Sequence, residues 1–413
     1  MKKQTKERVR QLVSKEVDKL FELYFEGTEG WIYSKQSRWS SNDVFQRLIQ
    51  ANLEKTSIED VCLDFAGCSA DTVHYRIKNL EFDPSVQHVN NSLRYIAQGF
   101  QIHKNTKITV AVDITDHPFY GDRDHELSVG SKEKAGTYFF NRYFTACIIT
   151  NGYRFPIFFR PIRQVDGVSP LYLLEEFFRE VLWWCPIHRV LADAWFFSAE
   201  VLDLLDRYQL EHIIPLKKTK SVKRSIETIK TTLEGMAAVA GIDITQSKKF
   251  FRWLKKNNLL TFKFELELTS CHNRRYPVIV QAQLLKVKKG RKPERVYLDF
   301  YVYTTNIRGS ADYIEKIYRS RWGIETQYRV VHQFQARTTS LNSILRLLLI
   351  GIGFILEAIW LRINAFLHIV THVLKVTCNY ELPIKIYKIS TLILTVSRFK
   401  RLLQALWRPN ERS

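Results

Sequence analysis

Two aspartates each close a largely apolar run, Asp113 in ITVAVD and Asp193 in RVLAD. Such runs have the pattern of buried strands. In an open α/β sheet, groups at the carboxyl ends of strands face the crevice where ligands bind. One aspartate after a strand is ordinarily a turn residue or a helix cap. Two of them on strands that can lie side by side, joined by a carboxylate from a helix crossing the same edge, would gather hard oxygen ligands suited to Mg²⁺ or Mn²⁺. The segment ADYIEKIYRSRWGIETQYRVVHQFQ offers that third group. Read as one helix, it carries Tyr318, Arg321 and Glu325 at spacings of three and four, on a single face. Taken alone, Arg321 and Glu325 make only a solvated ion pair, worth roughly a few tenths of a kcal/mol.

Other residues compete for chemical roles. Asp116 follows Asp113 by three positions, and the next loop holds Asp122 and Asp124 with His117 and His125, a metal cluster only if a second ligand group joins it. Lys217, Lys218, Lys220, Lys223 and Arg224 form a basic cluster that reads either as a phosphate-facing patch or as a solvated surface. Trp253 and Trp322 read as core residues, with stacking on an unpaired base as the alternative. The six cysteines are scattered, and the six-residue spacing of Cys62 and Cys68 matches no common zinc pattern, so reduced thiols are expected.

The elements that must position these residues can be traced along the chain. Residues before about Leu80 read as helical. Ser40 or Ser41 caps NDVFQRLIQANLEK, Ser57 with Asp60 forms a capping box on SIEDVCLDFA, Gly67 breaks the run, and Ser69 caps ADTVHYRIKNL. Helix, short glycine turn and helix over 57–80 is what a helix-turn-helix requires, with Thr72, His74, Tyr75 and Lys78 toward DNA. An ordinary helical bundle fits the same pattern. From Thr106 the texture changes to strands: KITVAVDIT, a polar loop HPFYGDRDHE, then TYFFNRYFTACIIT and YRFPIFFRPI, a plausible meander. The alternation that follows, helix LYLLEEFFREVLWW, strand HRVLADA, helix AEVLDLLDRYQ and strand HIIPL, implies parallel strands with helical crossovers. Strand-like runs between basic clusters then read as a β-rich insertion, before the chain turns helical from about Gly309.

Lys and Arg number 62 against 42 acidic residues, a formal charge of +20 that is spread along all 413 residues. Such an excess opposes any compact state unless a polyanion offsets it, which points to nucleic acid as partner. With 46% hydrophobic residues the chain has ample core for folded domains. The N-terminal MKKQTKERVRQLVSK has no apolar stretch behind its basic start and does not read as a secretory signal. The most apolar segment, Leu345 to Leu367, is interrupted by Arg346, Glu357 and Arg362, so a buried helix is expected there and no membrane partner.

Around Glu325 the chain resembles the insertion-sequence DDE transposases that carry a Tyr, Arg, Glu, Lys signature. Tyr318, Arg321 and Glu325 stand at that signature's spacing, while its Lys position holds His332. ADAWFFSAEV around Asp193 and AVDITDHPFYG around Asp113 resemble the family's other two carboxylate landmarks. Eighty positions separate Asp113 from Asp193 and 132 separate Asp193 from Glu325, the larger gap leaving room for the insertion.

The resemblance implies an α/β fold with an RNase H-like mixed sheet flanked by helices, a β-rich insertion, and helical N- and C-terminal regions. It divides the chain into a helical DNA-binding region at 1–100, catalytic segments at 101–215 and 301–370, the insertion at 216–300, and a basic helical tail at 371–413. It also implies cut-and-paste DNA transposition with two Mg²⁺ or Mn²⁺ ions on Asp113, Asp193 and Glu325. In that reading Tyr318, Arg321, Lys217 and Lys218 meet DNA, and His332 or Arg329 takes the phosphate contact of the absent lysine. The partners would be double-stranded DNA, as element ends and target, and a second copy of the chain on it, in the prokaryotic cytoplasm at the nucleoid. A nuclease of the same fold, or a transposase-derived DNA-binding protein without catalysis, would carry the same landmarks.

Overall fold

A computed structural model describes residues 38–64, 67–98, 107–121, 125–149, 154–163, 169–216, 219–267, 275–287 and 295–377, with a few isolated positions besides. In chain order the elements are helices α1 (Ser41–Glu54), α2 (Ile58–Asp64), α3 (Ala70–Lys78) and α4 (Phe82–Gln98), then strands β1 (Ile108–Phe119), β2 (Ser128–Lys134), β3 (Thr137–Ile149) and β4 (Arg154–Pro161). Next come α5 (Pro170–Val181), β5 (Ile187–Leu191), a 3₁₀ turn (Ala194–Phe196), α6 (Ala199–Arg207) and β6 (Glu211–Pro215). Helices α7 (Lys220–Val239) and α8 (Ser247–Lys256) precede β7 (Thr261–Glu267), β8 (Arg275–Val287) and β9 (Arg295–Thr305). The chain ends in α9 (Ala311–Arg319), a second 3₁₀ turn (Ser320–Trp322), α10 (Gly323–Val331) and α11 (Ser343–Thr377). Lys217, Lys218, Asp122, Asp124, and residues 378–399 and 401–413 of the expected basic tail lie outside the described residues.

The chain divides into two compact units, one made of 1–106, 114–168 and 323–413, the other of 107–113 and 169–322. Strand β1 therefore contributes its first residues, through Asp113, to the second unit and the remainder to the first.

In the first unit, the caps expected of the early helices form. Ser40 and Asp43 close a capping box on α1, Ser57 and Asp60 exchange the same pair of bonds at α2, and the Ser69 hydroxyl accepts from the Thr72 amide. Gly67 turns the chain between α2 and α3 at φ +152°, a conformation that residues with a Cβ rarely adopt. Strand β3 pairs antiparallel with β2 and β4 and neighbours β1. Helix α11 packs against α1, α4 and β4. It is long and apolar enough to cross a membrane by length and composition, yet 83% of its most apolar stretch is buried within the protein, the core helix that its charges implied. Those charges have partners: Arg346 donates to the Ser340 carbonyl at 2.6 Å and Arg362 to that of Ile96 at 3.0 Å.

In the second unit, β1, β5 and β6 run parallel, with α5 and α6 on the crossovers. Strand β9 then pairs antiparallel with β6, so the insertion joins the edge of the parallel strands as a β9, β8, β7 ladder and makes the sheet mixed. The Asn306 side chain fixes this junction by accepting from the His212 amide at 2.9 Å and donating to the Leu210 carbonyl at 2.9 Å. The insertion also contains two helices that the strand-like reading did not foresee. Both pack on its sheet through an apolar cluster including Val222, Leu233, Phe250, Leu254, Val280 and Val302. The overall class is the expected one, mixed α/β with helices flanking a mixed sheet.

Candidate active site

Asp113 does not end its strand. β1 continues through Ile114 to Phe119 into what had read as a polar loop, because His117 and Phe119 are buried and hold the chain extended. What ends near Asp113 is the parallel pairing with β5, whose last registered pair is Ala111 with Leu191. Asp113 lies two residues beyond that pair within β1, and Asp193 two residues beyond it, past the end of β5.

Each carboxylate is held. Asp193 precedes the 3₁₀ turn Ala194–Phe196, and its Oδ1 accepts from the Trp195 amide at 2.8 Å, which fixes its direction as an N-cap. Asp113 accepts from Arg321 at 3.4 Å, and both side chains are nearly buried. Arg321 lies over the Tyr318 ring, 5.6 Å from its centre. Burial pushes the Tyr318 hydroxyl up to about 12, and the negative charges of Asp193 and Asp113 push in the same direction, so it stays a neutral phenol. Asp113, Asp193, Tyr318 and Arg321 thus share one electrostatic neighbourhood. Because Tyr318 and Arg321 are each only 8% exposed, their first task is to orient Asp113 within the protein.

The helix expected to run unbroken through Tyr318, Arg321 and Glu325 is interrupted. Tyr318 is in α9, Arg321 in the 3₁₀ turn, and Glu325 in the first turn of α10. The break coincides with Ser320, whose hydroxyl bonds back to the Ile317 carbonyl, and with Gly323, where a Cβ would collide with the Arg154 side chain. The single-face argument for the three residues therefore does not hold as drawn.

Glu325 and Arg329 are exposed on α10. Buried polar groups on the other side of that helix face the interior of the first unit: the Tyr328 and Thr145 hydroxyls are 2.7 Å apart, and Gln327 is buried close enough to Glu357 of α11 to act on its carboxyl electrostatically. Sequence reading passed over Thr145, Gln327 and Glu357. A glutamate in the middle of the most apolar helix was the signal available, since such a group needs a buried partner. His332 is exposed just past α10, bonds through Nδ1 to Gln335 at 2.8 Å, and packs its ring 4.9 Å from that of His117.

The competing residues fall elsewhere. Asp116 pairs with Arg142 through two contacts of 2.7 and 3.3 Å. His117 bonds to Gln335 and His125 to the Leu341 carbonyl. Among the described residues, no three His, Cys, Asp or Glu side chains are gathered as a ready metal-binding group. Trp253 packs on the insertion core as expected, but Trp322 is 62% exposed, a correction to its reading as a core residue. The short 3₁₀ turn gives Trp322 no buried face.

The family described as the transposase DDE domain matches residues 106–350, more than half of the chain. Curated proteins gave no match. Among solved structures, the chain is similar to a piggyBac transposase in a cryo-EM synaptic complex with hairpin DNA, at 13% identity over 98% of this chain and 83% of that one, with a TM-score of 0.49. With the matched span enclosing Asp113, Asp193 and Glu325, this chain belongs to the transposase DDE domain family, a family of phosphoryl-transfer enzymes.

Proposed function

We propose that the chain is an insertion-sequence transposase that binds double-stranded element ends, cuts them, and joins the freed 3′ ends to target DNA, with Asp113, Asp193 and Glu325 as its catalytic carboxylates. The observation that supports this reading is that Asp113 and Asp193 both follow the parallel β1–β5 pairing and both act electrostatically on Tyr318 and Arg321. Hard carboxylate oxygens suit Mg²⁺ or Mn²⁺, and two such ions held by these three residues would neutralise charge on the attacking and leaving oxygens of the displacement. Arg321 and the Trp195 amide keep the two aspartates aimed before DNA arrives, which limits the reorganisation required in the reaction. In the first step water displaces the 3′ oxygen of the scissile phosphodiester and leaves a 3′-hydroxyl. In the second, that hydroxyl forms a new ester with a target phosphate while the target's own 3′ oxygen departs. No protein side chain becomes covalently attached.

The test compares Asp113→Asn, Asp193→Asn and Glu325→Gln with Asp116→Asn, measuring cleavage of DNA bearing the element ends, strand transfer and binding. The three site variants should bind DNA and lose cleavage by at least about 10³-fold, and Asp116→Asn should still cut. Wild-type cleavage in any of the three would remove that residue from the site. Cut ends without joined products would identify a nuclease, and binding without cutting by the wild type a DNA-binding derivative.

A further inference from the structure

Helix α8, SKKFFRWLKK, contains five cations and no acid. At 100° per residue, Lys248, Lys249, Arg252, Lys255 and Lys256 fall within an arc of about 120°, opposite the direction of Phe250 and Leu254. The structure agrees with that wheel: all five cations are exposed, while Phe250 and Leu254 are buried in the insertion core. Some exposed helical cations elsewhere in this unit are offset by acids, as Lys230 is by Glu227 and Glu234 and Arg319 by Glu315. On α8 the Arg252 Nε donates to the Lys248 carbonyl and the charge of Lys249 reaches Asp243, but among the described residues none of the five is in an ion pair. Lys248 with Arg252 and Arg252 with Lys256 are like charges four apart, and Lys248 and Lys249 oppose the helix dipole in the first turn. Lys255 and Lys256 favour the dipole in the last turn, but the like-charge spacing of the face is a cost to folding alone.

We propose that the exposed face of α8 is a docking surface for the phosphate backbone of duplex DNA, resting on the transposase reading above. Ten helical residues extend about 15 Å, close to the axial length of four phosphates of one strand. Lysines with an arginine and no exposed acceptor contact phosphates without reading bases, so the surface serves position and affinity, not sequence choice.

The experiment uses the full chain and a short duplex of arbitrary sequence, with binding measured from about 50 to about 200 mM salt. The variant replaces all five cations by Gln, which keeps helix propensity, and Lys230→Gln, a change to an already paired cation, is its companion. Circular dichroism and thermal melting establish that both remain folded. The five-fold variant should lower the slope of log affinity against log salt by roughly three to four. Lys230→Gln should leave that slope unchanged, and cleavage at saturating DNA and low salt should proceed at the wild-type rate in both. An unchanged slope in the five-fold variant, or an equal fall in Lys230→Gln, overturns the proposal while leaving the carboxylate site intact. Loss by the five-fold variant of binding to phosphatidylserine vesicles, with duplex binding unaffected, would assign the face to a membrane surface instead. A wild-type protein that binds no duplex at all would overturn both readings.

Discussion

A histidine carried into the protein interior without a carboxylate beside it is held neutral, and His117 is such a residue. Burial, and then the neighbouring His332, depress it to about 3 from an ordinary 6.5, with Lys134 adding to the effect and Gln335 opposing it. Between those values the unfolded chain binds the proton and the folded chain does not, so stability is fully present above about pH 6.5 and is lost as pH falls toward 3. His117→Asn keeps an acceptor near the Gln335 amide and removes the titration. Urea unfolding at pH 7 and pH 5 should show wild type weaker at pH 5 and a smaller difference in the variant. Equal differences in the two proteins would assign the acid sensitivity elsewhere. The same scale separates Asp113 from Asp116. Three residues apart on one strand, Asp116 is matched by a half-buried Arg142, whereas Asp113 meets Arg321 and acts with Asp193 on Tyr318.

At the scale of elements, α10 carries Glu325 on its exposed side and turns Tyr328 and Gln327 toward the unit's interior on the other. Glu357, close to Gln327, is fully buried in α11, and burial raises its carboxyl well above the usual 4.5. The sign is opposite to that of His117: the unfolded carboxyl releases its proton first, so Glu357 costs nothing below about pH 4.5 and costs progressively more as pH rises above it. Glu357→Gln preserves size while removing that cost. It should raise the unfolding midpoint at pH 7 by about 2–4 °C for each kcal/mol gained. A Glu357→Gln protein that melts lower than wild type at pH 7 would show that the ionised carboxylate is used.

At the scale of the whole molecule, the excess of 62 basic over 42 acidic residues makes the free protein dependent on counterions. Binding to the folded chain alone stabilises it by mass action, by about 2.7 kcal/mol when duplex is present at 100 times its dissociation constant. Thermal unfolding at low salt should therefore shift upward on adding duplex DNA, and the shift should shrink as salt rises. A shift independent of salt would mean that phosphate neutralisation is not the main term.

The sequence by itself determined the element types near the site. Apolar runs ending in Asp113 and Asp193 could only be strands, Ser40, Ser57 and Ser69 announced their helices, and the helical α/β alternation required parallel pairing. Composition gave the expectation of a polyanionic partner. These features are local, set by side-chain periodicity and by hydrogen bonds a few residues apart. Tertiary structure decided the rest, because it depends on residues distant in sequence. Strand pairing brought the segments that carry Asp113 and Asp193 together, and Asp116 met Arg142 as Asp113 met Arg321. The buried His117 and Phe119 drew an apparent loop into β1. The Arg154 side chain lies against Gly323, where a helix that looked continuous divides.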